Sequence, residues 1–143
     1  MLIYFLPEQV ANNWDIIEYA IEQALPPMAD DSPDKMNNIL EAFLIGKLHC
    51  WISVNKDKQP EAVITTMILN DYASKTKTLL IYTAYAFDKT AALSWMEGFD
   101  TLFKYAKSKG CSAVTAFSND NKIINIAQKF GADINMRYLS FQI

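Results

Sequence analysis

Apolar residues change their spacing several times along the 143-residue chain, and each change marks an element. "MLIYFL" is a short apolar run that ends at Pro7 and reads as a buried strand. From Glu8 to Leu25 the apolar positions are Val10, Trp14, Ile17, Ile21 and Leu25, three or four apart, as on one stripe of a helix that Pro26 and Pro27 close. "DSPDKM" opens a second helix, with Ser32 placed to cap it and Pro33 at the first helical position, where no N–H donor is needed. Met36, Ile39, Leu40, Phe43 and Leu44 form its stripe, and Gly46 stops it.

Strand signals follow. "LHCWISV" (48–54), "EAVITTMIL" (61–69) and the segment 78–87 are rich in β-branched and aromatic residues, and turn-length polar stretches join them. Connections that short predict an antiparallel meander. A helix from about Thr90 to Lys109 carries Trp95, Phe99, Leu102, Phe103 and Ala106 on one face and stops at Gly110. "CSAVTAFS" is the next strand, "NDNKIINIAQKF" a helix ending at Gly131, and "INMRYLSFQI" a final strand. The order β-α-α-β-β-β-α-β-α-β describes one α/β (α+β) domain over residues 1–143. It predicts a mixed sheet, an antiparallel meander plus a parallel crossover, with helices on both faces.

Composition narrows the function classes. Apolar residues at 51% and charged residues at 20% exclude disorder. Sixteen acidic against thirteen basic side chains give a net charge of −3, and Arg137 is the one arginine, so nucleic acid is not expected as a partner. Lys104, Lys107 and Lys109 gather near a helix C-terminus, where cations complement the helix dipole. Cys50 and Cys111 have no second cysteine or histidine at metal-ligand spacing, so no metal is expected. "MLIYFL" is too short for a signal-peptide core and Leu79–Phe87 too short to span a bilayer, so the chain reads as cytoplasmic, with no membrane partner.

The candidate chemistry gathers where the strand 78–87 feeds a helix. First-turn N–H groups at such a junction are unpaired and can hold an anion. Lys89 would add charge and Thr90 a hydroxyl, whereas Asp88 would oppose an anion; Asp88 and Thr90 also fit ordinary helix-capping chemistry. The junction contains no glycine. Glu61 begins a strand and reads as solvent-facing, and Glu97 and Asp100 fall on the polar side of their helix, so none stands out as a base. His49 and Cys50, adjacent in a strand, point to opposite faces and cannot pair; Cys111 reads as a small buried thiol. Trp14, Trp51, Trp95, Phe43, Phe99, Phe103 and Phe130 follow the element periods and read as core.

The element order, with "LFKYAKSKGCSAV" and "IAQKFGADINMRYLSF", resembles the GNAT N-acetyltransferase superfamily over nearly the whole chain. "GKLHCW" at the entry to the second strand looks most like small GNAT-like proteins encoded by phages. The resemblance implies acetyl-CoA or CoA as cofactor, seated where two central strands splay apart. Its pyrophosphate would be cradled by backbone N–H groups after the fourth strand, where the family usually carries Q/R-x-x-G-x-G/A. Here Thr90, Leu93 and Trp95 fall on those signature positions and do not match them. The main-chain groups of Tyr85, Phe87, Asp88, Lys89, Thr90, Ala91 and Ala92 are the implied cofactor-binding set. The family's thiolate-protonating tyrosine corresponds to Ala127, which leaves Tyr82, Tyr85 and Tyr138 as candidate acids. The implied activity is CoA-dependent N-acyl transfer to an amine of a small molecule or protein by direct attack. The alternative is a catalytically inert GNAT-fold protein that binds another protein or belongs to a virion. A homodimer or protein partner fits either.

Overall fold

A computed structural model describes residues 1–25, 32–87 and 92–143, with side chains in the last span from residue 94 onward. Five strands form one sheet in the order β1 (Leu2–Phe5), β2 (His49–Val54), β3 (Pro60–Asp71), β4 (Thr76–Ala86) and β5 (Cys111–Ala116). The first four pair antiparallel in sequence order, and β5 runs parallel to β4. This is the mixed sheet that the spacing predicts. Turn chemistry joins the meander: Asn55 Oδ1 accepts from Asp57 N and Gln59 N at 2.9 and 3.0 Å, and Asp71 Oδ1 accepts from Ala73 N at 2.9 Å.

Helices α1 (Pro7–Asn12), α2 (Trp14–Ala24) and α3 (Lys35–Leu44) cover one face; α4 (Ala92–Ser108) covers the other. α5 (Asn121–Lys129) follows β5. Alternation along the strands builds two cores. Val10, Ile17, Ile21 and Phe43 meet Cys50, Ile52 and Val63 on the first face, while Trp51, Ile64, Leu79 and Ile81 meet Leu102 and Ala106 on the second. Ile17 and Ile21 are completely buried, each contributing about 1.5–3 kcal/mol of transfer free energy.

Four features differ from the sequence expectation. The helix over 8–25 is two helices, broken at Asn13, whose φ of −119° and ψ of 24° leave the helical region. α3 starts at Lys35, so Ser32 and Pro33 lie in the preceding turn, with Ser32 Oγ accepting from Asp34 N at 3.3 Å. "INMRYLSFQI" is not a strand: residues 132–143 have no regular structure, and Met136, Leu139 and Phe141 project outward. Phe103 and Phe130, expected as core, are more than one third exposed. No helix among the described residues is long and apolar enough to cross a membrane.

Candidate active site at the separation of two strands

Strand β4 carries one residue too many. Thr66 faces Ile81 and Thr65 faces Thr83, so Tyr82 has no counterpart on β3 and forms a β-bulge. Strict alternation from Leu79 would send Ile81, Thr83, Tyr85 and Phe87 to the α4 face. The extra residue resets the phase. Ile81 packs under α4, whereas Tyr82, Tyr85 and Phe87 all pack against the core beneath α1, α2 and α3.

Side chains of the paired strand hold the bulge. Thr65 and Thr83 are buried, their hydroxyl oxygens lie 2.6 Å apart, and the Thr83 N–H donates to Thr65 Oγ1 at 3.1 Å. Thr65 thus accepts a backbone donor that the interrupted ladder leaves over. The neighbouring Thr66 Oγ1 accepts from Trp51 Nε1 at 3.0 Å, which fixes the same stretch of β3 from the opposite face.

The bulge coincides with the end of β4–β5 pairing. The last pair is Ile81 with Ala116, and β4 then continues from Tyr82 to Ala86 with no strand on that edge among the described residues. Phe117 stands just past the end of β5, and the Tyr138 ring packs against it edge to face at 5.5 Å. Tyr82 and Tyr85 thus lie on β4 beyond its last pair with β5, and Tyr138 contacts the first residue after β5.

Their environments differ. Tyr82 is half-buried, and burial pushes its phenol above the ordinary value, which reinforces retention of the proton at neutral pH. The Tyr85 phenol is also raised, first by a hydrogen bond with the Tyr19 hydroxyl and then by burial; the two rings meet edge to face at 5.9 Å. Tyr85 is thereby tied to α2. Tyr138 is 55% exposed.

Of the expected cofactor-binding residues, Asp88, Lys89, Thr90 and Ala91 lie outside the described residues, and Ala92 begins α4. The Phe87 N–H donates to the Glu61 carbonyl at 2.9 Å, so it does not face an anion, and its ring stacks edge to face on Tyr85 at 5.5 Å. Trp95 packs on the α4 face of the sheet, its ring 6.3 Å from Phe99. The Trp95 indole and the Phe87 ring thus sit on opposite faces of the sheet. Glu61 is not simply solvated: it is half-buried, and its carboxylate accepts from Ser53 Oγ at 2.9 Å. Asp100 pairs with Lys104 at 2.7 Å in solvent.

His49 and Cys50 do point apart, His49 toward the α4 face and Cys50 into the opposite core. His49 sits among Tyr4, Trp51 and Tyr105, its Nδ1 buried without a hydrogen-bond partner. Cys111 is half-buried, less enclosed than expected. Sequence reasoning missed Thr65, Thr83 and Tyr19. Nothing in the run "VITTM" distinguishes a threonine that clamps a bulge from one that favours a strand, and Tyr19 lies off the apolar stripe of its helix.

No protein-family model matches the chain, and no curated relative does. Solved structures do. A predicted acetyltransferase from Clostridium acetobutylicum, solved with acetyl-CoA, superposes with a TM-score of 0.69 at 16% identity, covering 99% of this chain and 96% of that one. A ribosomal-protein-alanine N-acetyltransferase from Brucella melitensis biovar Abortus 2308 gives a TM-score of 0.72 at 8% identity, covering 100% and 99%. An aminoglycoside acetyltransferase from an uncultured soil metagenomic sample, in complex with sisomicin, gives 0.73 at 10% identity, covering 100% and 95%. At such identities the likeness is one of architecture: the chain has the fold of the GNAT acetyltransferases.

Proposed function

We propose that this protein is a CoA-dependent N-acyltransferase acting on an amine. The observation that carries the reading is the parting of β4 from β5 after Ile81 and Ala116, at the bulge that frees the edge of residues 82–86. An unpaired strand edge offers N–H and C=O groups to an extended, amide-bearing ligand. The pantetheine arm of acetyl-CoA has that chemistry, so the residues present fit the group. When bound, acetyl-CoA supplies the activated acyl group as a thioester.

The chain's own part is positioning and proton handling. The edge from Tyr82 to Ala86 orients the arm, and the bulge, clamped by Thr65, fixes where that edge begins. Tyr82, like any phenol, holds its proton at neutral pH, and burial reinforces this by disfavouring the phenolate. A group in that state can act as an acid toward a departing thiolate. Tyr138 flanks the same opening from the β5 side.

Calorimetric titration and thermal unfolding with acetyl-CoA test the reading. Binding should raise the melting temperature with ligand concentration, by the equivalent of about 2.7 kcal/mol at one hundred times Kd. No heat and no shift at millimolar cofactor would end it. A second reading, an inert protein-binding role, draws on the apolar side chains of Met136, Leu139 and Phe141, which are 77–87% exposed. It gains ground if acetyl-CoA does not bind and deleting residues 134–143 releases a protein partner.

A further inference from the structure

A cleft of about 510 Å³ opens between α3 and the sheet. Its apolar surface comes from Ile39 and Ala42 of α3, Leu48 before β2 and Met67 of β3. Tyr82, the bulge residue, forms part of the wall, so the cleft reaches the point where β4 leaves β5. Lys35 of α3 and Lys47, exposed just after α3, line it, with Ser32 and Asn38 contributing a hydroxyl and an amide. No carboxylate among the described residues lines it.

Resting on the acyl-transfer reading, we propose that this cleft takes the acyl acceptor, and that the acceptor is a small amine bearing both an apolar body and a carboxylate, as a hydrophobic α-amino acid does. The volume lies in the small-ligand range of roughly 300–1,000 Å³. An apolar body displaces water from Ile39, Leu48 and Met67. A carboxylate gains a charge-assisted hydrogen bond from Lys47 at the rim. A polycationic amine meets Lys47 at the rim, where like-charge contact disfavours it. The proposal therefore expects weak binding of a polycation such as sisomicin, with which a neighbour in fold was solved in complex.

Binding measured by calorimetry at low ionic strength, without cofactor, tests this independently of catalysis. L-Phenylalanine is the probe, phenethylamine the analogue without a carboxylate, and sisomicin the polycation. Phenylalanine should bind, phenethylamine at least about tenfold more weakly, and sisomicin only weakly. Lys47→Glu, at an exposed position that does not endanger folding, should weaken phenylalanine about fivefold or more, and Lys47→Arg should retain binding. Phenethylamine equal to phenylalanine, tighter sisomicin, an inert Lys47→Glu change, or no phenylalanine binding at tens of millimolar overturns the assignment. Phenylalanine binding without acetyl-CoA binding would instead overturn the acyl-transfer reading and leave the cleft's selectivity standing.

Discussion

Thr65 Oγ1 lies 2.6 Å from Thr83 Oγ1 and accepts the Thr83 N–H at 3.1 Å, with both residues buried. The pair sits beside the one unmatched residue of β4, where a ladder of backbone bonds cannot close by itself. Thr65→Val keeps the shape and removes the acceptor, leaving a buried donor unsatisfied. It should cost about 1–3 kcal/mol in chemical denaturation. Amide exchange should quicken at β4 more than at β1. Unchanged stability would show that the hydroxyl does not hold the bulge.

Tyr82→Phe separates proton supply from packing, because the ring stays and the hydroxyl goes. With Tyr82 as the acid, acetyl transfer should fall about 100-fold or more while acetyl-CoA affinity holds. Tyr138→Phe, at a residue more than half exposed, should leave most of the rate. Steady-state kinetics on both variants decide between them, and the reverse ranking would move the role to Tyr138.

His49 gives the fold an acid-sensitive point. Burial lowers its pKa most; the Gly46 carbonyl works against this by hydrogen bonding, and Lys109 adds to the lowering. The folded pKa is thus below the unfolded value, so below about pH 6.5 the unfolded chain binds the extra proton first. Stability should be full above that pH and decline as pH falls through the folded value. Denaturant midpoints at pH 7.5 and 5.5 should differ, and His49→Gln should shrink the difference. An equal difference in the variant would assign the effect to other groups.

The two thiols should behave unequally. Cys50 is buried and its thiol is pushed up to about 12, whereas Cys111 is half-buried. The thiolate is the reactive form, so a thiol reagent at pH 8 should modify one cysteine in the folded protein and two after denaturation. Because the folded pKa of Cys50 is raised, its contribution to stability holds below about pH 8.5 and fades as pH climbs toward 12. Rapid modification of both thiols in the native state would contradict the burial.

Much of the architecture was legible from spacing. Val10, Ile17 and Ile21 are buried as the helical stripe requires, and the stripe survives the break at Asn13 because the break falls between two of its positions. The expected final strand failed for a physical reason: Ile134, Met136 and Tyr138 alternate, but Leu139, Phe141 and Ile143 continue in the opposite phase. Strand propensity without a partner strand does not fix a strand. The site was less legible. Leu79 to Phe87 reads as one uninterrupted apolar run, and no residue type announces that Tyr82 is surplus, because the surplus is defined by register with β3. The glycine-free junction is visible in the sequence, yet residues 88–91 lie outside the described structure.

Strand β4 is, in effect, two half-strands written in different reading frames, joined at a single residue. Swapping Tyr82 for another side chain would preserve that offset; deleting it would not. A chain shortened by this one residue would pair Ile81 and Thr83 with Thr66 and Thr65 in unbroken alternation and keep the Tyr85 ring opposite Val63 on the α2 side, so that the sheet would gain continuity where the molecule now has an entrance.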